Sequence, residues 1–377
     1  MKIFTTKNVF DEALARIRLL FDEFPEVIVS TSGGKDSTVI FELAKQVARE
    51  KGRLPLKVFW LDQECEFEAT GNYVKSVMYD PDVEPLWYQI PFRLQNATSA
   101  TESWLNCWGE GEQWVREQDP ISKKENTFGT DRFVALMEAI MSQTCDQPTA
   151  VLTGVRAEES PTRMVAVTED ATYKWITWGN KINKPKQIFN FHPIYDWSYL
   201  DVWKAIYDHG WPYNSHYDDL FRYGVQVRKM RVSNYHHETA VHSLFLLQEV
   251  EPETYQRATQ RISGLDTAGK LGKEDWFVYE LPFMFQDWVE YRNYLLEHLI
   301  VNDKYRARFA RRFESIERRY SRSNNKEMQK TFVNSILCND VEMTKLSNWE
   351  VRNFTDKQLA KKEKHEADFA GLAQEQP

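Results

Sequence analysis

Apolar positions near the start of the chain alternate between a helical and an extended pattern. Residues 8–24 carry apolar side chains on one helical face, and Pro25 ends that pattern. Residues 27–31 are apolar at nearly consecutive positions, which is typical of a strand buried on both faces of a parallel sheet. A helix over 37–50 and a second buried strand over 56–61 follow in the same manner.

The same alternation continues through the first half of the chain. It predicts a helix over 67–78, a third strand over 86–90 and a fourth over 149–154. Strands that alternate with helices indicate parallel βαβ units. The pattern therefore predicts an α/β fold with a doubly wound, mostly parallel sheet, followed by a helical C-terminal region.

Two stretches depart from this alternation and suggest domain boundaries. Residues 96–130 are rich in Gly, Trp and charged residues, which favours a long loop or lid. Beyond residue 212 the apolar spacing is helical throughout. We predict an α/β domain over 1–212, a helical domain over 213–355 and a polar tail over 356–377.

Charge is distributed unevenly over the chain. The formal net charge is -8, yet residues 304–330 contain ten Lys or Arg and three Glu, so this segment carries +7 and the remainder -15. Such a basic helix is either a surface for nucleic acid or an acidic partner, or a face that is solvated or paired within the molecule. The composition leaves both interpretations open.

Cysteine usage and hydropathy exclude several classes of protein. The four cysteines, Cys65, Cys107, Cys145 and Cys338, form no CxxC pair, so neither a zinc ribbon nor a disulfide framework is indicated. No apolar run is long enough to span a membrane, and no signal peptide is evident. We expect a cytoplasmic protein without membrane partners.

The segment Ser-Gly-Gly-Lys-Asp-Ser-Thr, residues 32–38, joins the first strand to the next helix. It lacks the Walker A spacing and the GxGxxG fingerprint of dinucleotide-binding folds. Gly33 and Gly34 allow backbone N–H groups to approach an anion, and the helix N-terminus adds positive potential. Asp36 is unexpected in such a loop, since phosphates would repel it unless a cation lies between them.

This segment resembles the PP-loop of the N-type ATP pyrophosphatases. The resemblance implies that ATP is bound with Mg²⁺, that Lys35 and Asp36 are catalytic, and that Asp36 is a Mg²⁺ ligand. It also implies nucleotide contacts from the loop, namely from Ser30, Ser32, Gly33, Gly34, Asp36, Ser37 and Thr38.

A second region, "VLTGVRAEESPTR" at 151–163, resembles the phosphoadenosine phosphosulfate (PAPS) reductase branch of this superfamily. The resemblance implies that Gly154 shapes a turn and that Arg156 and Arg163 clamp the nucleotide, with Arg156 also catalytic. We expect both arginines at a loop surface. Asp62, at the end of the second strand, is a candidate ribose or Mg²⁺ contact, although Gln63 departs from the family pattern there.

Residues 213–240 resemble the helical extension of the immunoglobulin-binding regulator A-like group, whose members often occur beside a ParB-like partner. The cysteine motif of sulfonucleotide reductases and the paired cysteines of an iron–sulfur cluster are both absent from the sequence, so no cluster is expected. His236, His237 and His242 do not share a helical face, which disfavours a metal site.

The leading hypothesis is an enzyme that cleaves ATP to AMP and pyrophosphate and adenylates an unknown acceptor. Sulfur transfer and amine transfer are the two reactions that such an adenylated acceptor could serve. One alternative is a nucleotide-sensing regulator that binds DNA or a ParB-like partner through the basic helix at 304–330. Another is a phosphosulfate-binding relative of the reductases, which the missing thiol motif disfavours.

Overall fold

The computed structural model describes residues 6–99, 102–168, 171–232, 234–236, 244–270, 280–320, 325–351 and 353. His237, His242, Arg322 and the predicted tail at 356–377 lie outside these residues. By packing, the described chain forms two compact units. Unit 1 comprises Met1–Thr98 and Trp104–Lys270, and unit 2 comprises Ser99–Ser103 and Leu271–Pro377.

Unit 1 contains a six-stranded sheet of order β3-β2-β1-β6-β8-β7 and a two-stranded hairpin, β4-β5. The strands are β1 Glu26–Ser30, β2 Leu56–Leu61, β3 Val83–Tyr88, β4 Phe92–Gln95, β5 Trp104–Cys107, β6 Thr149–Leu152, β7 Gly179–Asn183 and β8 Ile188–Phe191. Its helices are α1 Val9–Glu23, α2 Lys35–Glu50, α3 Glu68–Met78, α4 Phe133–Thr144, α5 Pro161–Ala166, α6 Tyr199–His209, α7 His216–Arg222, α8 Leu244–Val250, α9 Pro252–Arg261 and α10 Leu265–Lys270.

Five strands of the sheet are parallel, and β7 is an antiparallel edge strand. The central strand β1 pairs with β2 on one side and with β6 on the other. Its apolar run is buried on both faces, as the consecutive apolar positions predicted. This confirms the predicted mostly parallel α/β sheet with flanking helices.

The order of the strands creates a switch point at β1. The next strand in the sequence, β2, lies on one side of β1. Strand β6, which comes much later in the sequence, lies on the other side. Ligands of open α/β sheets bind at the carboxyl ends of strands next to such a point. The loop after β1 and the loop after β6 therefore meet where a ligand site is expected.

Asp62 and Glu64 anchor the segment that was expected to be a lid. Glu64 accepts hydrogen bonds from Trp108 N at 2.8 Å and from Arg261 Nε at 2.8 Å, and Arg116 Nε donates to the Glu64 carbonyl at 3.1 Å. The hairpin β4-β5 lies within the same segment. Buried ionic contacts therefore attach much of 96–130 to the chain after β2.

The described residues of 213–270 belong to unit 1 together with the sheet, whereas the sequence predicts a domain boundary at 213. The reason is local: Asn214 and Tyr217 hydrogen-bond to the loop after β1. In unit 2 the helices are α11 Trp288–His298, α12 Asp303–Tyr320 and α13 Asn325–Leu337. Their buried face includes Phe309 and Phe313 of α12, and the Phe313 ring stacks on Phe332.

Candidate functional site

The loop between β1 and α2 requires glycine at Gly33 for two reasons. Its φ is +70°, which side chains rarely adopt, and a Cβ there would lie 2.8 Å from Thr70 Cγ2 and 2.9 Å from Val74 Cγ2. Helix α3 therefore closes one side of the loop tightly. The N-cap of α2 is Gly34. Because glycine has no side chain, the N-cap residue makes no side-chain hydrogen bond to the helix N-terminus.

The hydroxyl groups of the loop are directed towards its own backbone. Ser37 Oγ donates to the Gly34 carbonyl at 2.8 Å, and Thr38 Oγ1 lies 3.1 Å from the same oxygen. Thr38 Oγ1 also lies 2.7 Å from the Tyr73 hydroxyl, and Ser32 Oγ lies 3.3 Å from Ser37 Oγ. These bonds fix the shape of the loop, and the predicted nucleotide contacts of these residues stay a prediction.

The negative charge of Asp36 is balanced by two cations of the protein. Lys35 Nζ lies 3.0 Å from Asp36 Oδ2, and Arg156 Nε donates to Asp36 Oδ1. The side chains of Lys35 and Arg156 are 7 % and 4 % exposed. Asp36 therefore pairs with two buried cations at the N-terminus of α2. Such a location is suited to anions.

Gly154 brings the second motif against the first turn of α2. A Cβ at this position would lie 2.6 Å from the Asp36 carbonyl carbon and 2.8 Å from Ser37 N. The sequence analysis assigned Gly154 to a turn, but the structure requires glycine there because two backbones meet. This approach places Arg156 beside Asp36.

The two predicted clamp arginines differ in their surroundings. Arg156 is buried rather than at a loop surface, since Asp36 and the Trp197 carbonyl surround it. Arg163 is 47 % exposed and pairs with Glu159. Partial burial and then the positive charge of Arg231 lower the pKa of Arg163.

Arg231 was missing from the predicted site. Because its charge acts on Arg163, which is also influenced by Arg156 and Asp36, it belongs to the same cationic group. The sequence signal was the "MRV" triplet, which carried a family resemblance but no assigned role. Lys35 and Arg156 thus contact Asp36 directly, and Arg163 and Arg231 add positive charge to the same region.

A histidine and a threonine lie at neighbouring strand ends of this site. Thr153 follows β6 and His192 follows β8, and Thr153 Oγ1 lies 2.6 Å from His192 Nδ1. Burial, and then the charge of Arg163, lowers the pKa of His192 to about 4. The imidazole is therefore neutral near pH 7.

The segment after α6 completes the loop from its other side. Lys35 N donates to the Tyr217 hydroxyl at 3.0 Å, and Lys35 Nζ lies 5.6 Å from the centre of the Tyr217 ring. Asn214 Nδ2 donates to the Gly33 carbonyl at 3.1 Å and to Thr70 Oγ1 at 2.8 Å. The motif "YNSHYDD" thus supports the loop directly.

Asp62 has a different place from the predicted ribose or Mg²⁺ contact. It is fully buried, and its carboxylate accepts hydrogen bonds from Trp87 Nε1, Gln89 Nε2, Glu64 N and Arg116. These donors engage both oxygens. The structure therefore makes Asp62 an anchor for neighbouring loops, because a ligand would have to displace buried partners.

All four cysteines are buried and form no disulfide. Burial raises the pKa of the Cys65, Cys107 and Cys145 thiols. A nucleophilic thiol needs a lowered pKa and access to substrate, so these three environments do not favour thiol chemistry.

Metal and membrane features were sought within the described ranges only. They contain no group of three or more His, Cys, Asp and Glu side chains arranged to hold a metal ion. His236 is buried, while His237 and His242 lie outside these ranges. None of the described helices combines the length and apolar character that crossing a bilayer requires.

The fold and the loop define a mostly parallel α/β protein with a buried charged group at the strand switch point. Residues 26–223 match the phosphoadenosine phosphosulfate reductase domain, and the chain belongs to this family. Residues 224–370 match a domain of unknown function, DUF3440. The predicted resemblance of the 151–163 region to the PAPS reductase branch is thereby confirmed, while the PP-loop assignment of residues 32–38 stays a prediction.

Several curated proteins are similar to this chain. The uncharacterized protein YbdN of Escherichia coli K12 is 29% identical over 312 residues, which are 78% of this chain and 75% of YbdN. Sulfate adenylyltransferase subunit 2 of Pseudomonas putida F1 is 24% identical and covers 56% of this chain and 66% of its own. Adenosine 5'-phosphosulfate reductase of Geobacillus thermodenitrificans is 23% identical, covering 57% and 77%.

Among solved structures, PAPS reductase from Candida auris aligns with 63% of this chain and 98% of its own, at 13% identity and a TM-score of 0.35. FMN adenylyltransferase of Candida glabrata aligns with 57% and 62%, at 14% identity and the same TM-score.

Proposed function

We propose that the protein binds ATP at the loop after β1 and transfers its adenylyl group to an acceptor, releasing pyrophosphate. The observation that carries the proposal is the buried group of Lys35, Asp36 and Arg156 at the N-terminus of α2. Its two cations and the helix terminus favour polyphosphate. The similarity to a sulfate adenylyltransferase subunit supports transfer at the α-phosphate.

In the proposed reaction a nucleophilic atom of the acceptor forms a bond to the α-phosphorus. The bond from this phosphorus to the oxygen that bridges to the β-phosphorus breaks, and its electrons leave with pyrophosphate. The proton of the acceptor passes to solvent. Lys35 and Arg156 stabilise the charge that develops on the phosphate oxygens, which is the main contribution expected of a preorganised site.

Asp36 would be the protein ligand of a Mg²⁺ ion that enters with the nucleotide. Mg²⁺ commonly uses one or two carboxylates together with substrate phosphates, so one aspartate fits this arrangement. Because Asp36 contacts Lys35 and Arg156, these cations would then turn towards the phosphates. The ion would supply charge neutralisation.

Arg163 and Arg231 would contact the outer part of the bound anion. Arg163 is half exposed and lies near another positive charge, so an anion between the two would relieve their repulsion. Asn214 and Tyr217 would hold the loop in its binding conformation through Gly33 and Lys35.

Product analysis tests the reaction. The full chain is incubated with ATP, Mg²⁺ and candidate acceptors, and AMP, ADP and pyrophosphate are separated by chromatography. We expect the amount of pyrophosphate to equal the sum of the adenylated acceptor and any AMP that is later released from it. If ADP and phosphate are the main products, the proposed position of cleavage is wrong.

Two variants test the site, with a third as a matched control. Arg156→Lys keeps the charge but loses the planar fork, and Arg163→Ala removes an outer cation; we expect each to weaken ATP binding about tenfold in calorimetry. Arg18→Ala removes an arginine that pairs with Glu50 at the far end of α2 and should leave binding unchanged. Unchanged affinity in both site variants would contradict the proposal.

A second candidate function, nucleic-acid binding, is supported by one face of α12 in unit 2. Lys304, Arg308, Arg311 and Arg318 are exposed and recur at helical spacing on this helix. Such a row fits the phosphate backbone of a nucleic acid. The reductase alternative has less support, since the thiols of Cys65, Cys107 and Cys145 are buried with raised pKa values.

A further inference from the structure

A cavity of about 400 Å³ lies beside α3 in unit 1. Gly71 and Lys75 of α3 line one wall, and Trp87 and Val115 line another. In contrast, Thr70 and Val74 of α3 contact the loop at Gly33. The cavity and the loop after β1 thus adjoin different residues of the same helix. A volume of this size accommodates a small organic molecule.

Glu66 lines this cavity, and one of its carboxylate oxygens is buried without a hydrogen-bond partner among the described residues. The residue is 6 % exposed, and its Oε2 has no hydrogen-bond partner in the described chain. The backbone N–H of Gln63 is a contact of the same carboxylate. A buried polar atom without a partner is costly, so its retention at a cavity wall points to a ligand.

The charges around the cavity indicate the sign of that ligand. Six further charged residues line it: Glu68, Lys75, Arg116, Glu117, Asp119 and Arg257. Each of the three cations already has an acidic partner: Lys75 Nζ lies 2.7 Å from Asp119, Arg257 lies 3.5 Å from Glu68, and Arg116 pairs with Asp62.

Among the lining groups of the described chain, Glu66 and Glu117 are left without an ion pair. Arg116 attracts Glu66 electrostatically, but its guanidinium donates to Asp62 and to the Glu64 carbonyl. The negative charge that Glu66 carries when it is ionised therefore has no ion-pair partner among these groups. The indole of Trp87 and the side chain of Val115 add apolar surface suited to a short hydrocarbon body.

We propose that this cavity binds a small primary amine, whose ammonium group donates to the Glu66 carboxylate while its hydrocarbon part packs against Trp87 and Val115. The site is separate from the proposed ATP site and does not depend on the proposed reaction. It therefore assigns a second ligand class to unit 1.

The protonation of Glu66 gives the proposal a measurable signature. Burial, and then the charge of Asp62, raises the pKa of Glu66 to about 8. An ammonium ion binds the ionised carboxylate, so binding should release a proton when the pH is below that pKa. Apparent affinity should rise about tenfold from pH 6.5 to pH 8 and then level off, because simple amines stay protonated there.

Ligand-observed NMR on the full chain measures this directly. The probes are n-butylamine, putrescine and agmatine, with 1-butanol and butyramide as neutral compounds. We expect at least one amine to bind at millimolar concentration, with the stated pH dependence, and the neutral compounds to bind at least tenfold more weakly. If no amine binds, or if the neutral compounds bind equally, the proposal is overturned.

Three variants separate ligand binding from a structural role of Glu66. Glu66→Gln should weaken amine binding at least tenfold and abolish its pH dependence. Glu68→Gln neutralises an acid on the same wall that is 58 % exposed, and we expect less than a threefold change. Gly71→Leu extends a side chain from α3 towards Arg116 into the cavity and should block binding while Glu66 is unchanged.

Thermal unfolding establishes that each variant is folded, and ATP titration shows whether the other site is intact. Unchanged amine binding in both Glu66→Gln and Gly71→Leu would overturn the proposal. If the wild type does not bind ATP, only the proposed function is contradicted, because the amine experiment uses no nucleotide.

Discussion

Buried histidines show how single residues couple the fold to pH. His192 is 5 % exposed and His216 is 1 % exposed, and the ring of His216 stacks on Phe67 with centroids 3.9 Å apart. Burial lowers the pKa of each to about 4. In the folded protein both rings are therefore neutral over a pH range in which the unfolded chain binds protons.

We expect the free energy of unfolding to fall as the pH decreases from about 6.5 to about 4. The folded pKa values lie below the ordinary histidine value of 6.5, so the unfolded state takes up more protons in this window. Above pH 6.5 the two histidines no longer reduce the free energy of unfolding. Between pH 6.5 and pH 4, each histidine lowers this free energy by roughly 3 kcal/mol. Urea unfolding at several pH values measures it.

Variants assign this pH dependence to residues. His192→Gln and His216→Gln should each make the free energy of unfolding less dependent on pH between 6.5 and 4. His298→Gln is the control, because the side chain of His298 is 55 % exposed. A pH dependence that is the same in all three variants and the wild type would contradict the assignment.

Glycines illustrate what the sequence revealed at this scale. Gly33 was predicted to face an anion, and the structure gives it a positive φ and a close contact with α3. Gly154 was assigned to a turn, but its need for glycine comes from the backbone of Asp36, more than a hundred residues earlier. A sequence motif indicates that glycine is required at a position. The physical reason for the requirement becomes visible only in the residues that pack against it.

At the scale of elements, α12 differs from the basic helix that the sequence suggests. Arg312 and Arg319 both contact Glu350, with Arg319 Nη2 at 2.9 Å from its carboxylate. Arg306 donates to the carbonyls of Leu296 and Ile300 near the end of α11. The expectation that the arginines face outward therefore holds for only part of the helix.

We expect the exposed row of α12, and not its paired arginines, to bind polyanions. Reversal of two row residues, Arg308→Glu with Arg311→Glu, should weaken nucleic-acid binding at least tenfold, and wild-type affinity should fall steeply with salt. The matched control reverses Lys181 of β7 and Lys184 of the β7–β8 connection, which are both exposed. Fluorescence anisotropy at several salt concentrations measures both effects.

Equal binding by the wild type and the row variant would remove the support for nucleic-acid binding. An acidic ParB-like partner, tested by the same titration, is the other outcome that the exposed charges allow. Failure of both would leave α12 with a solvated face whose paired arginines stabilise unit 2.

At the scale of the whole molecule, every residue of the proposed ATP site lies in unit 1. The loop after β1, the 151–163 region, Asn214, Tyr217 and Arg231 all fall within its ranges. Residues 224–231 nevertheless belong to the part of the chain that matches DUF3440. The family boundary near 223 thus divides the residues of the proposed ATP site.

Hydrogen exchange tests this organisation. We expect ATP to slow amide exchange in residues 31–38, 154–163 and 213–217 of unit 1 and to leave α11 and α13 of unit 2 unchanged, because bound ligand suppresses local opening around its site. Arg156→Lys should reduce the protection, whereas Arg18→Ala should not. Protection confined to 31–38 would contradict a role for the segment after α6.

Local patterns determined much of this protein from the sequence alone. The consecutive apolar run before the loop specified a buried parallel strand, since only such a strand needs apolar residues on both faces. The residues of the loop predicted a turn suited to an anion, because glycines and a helix N-terminus act through the backbone of adjacent residues. The structure shows this turn at the N-terminus of α2, and anion binding stays a prediction. Strand β2 and helix α1 were likewise predicted from the spacing of their apolar residues.

Tertiary structure alone decided the charges and contacts of the site. Asp36 is neutralised by Arg156, Asp62 is buried by Trp87 and Arg116, and Tyr217 bonds to Lys35 across 182 positions. The sequence shows each of these groups but not its partner. The free-energy cost of a buried charge depends on its partner and on its exposure to water. Both are set by segments that are distant in the sequence and come together only when the chain folds.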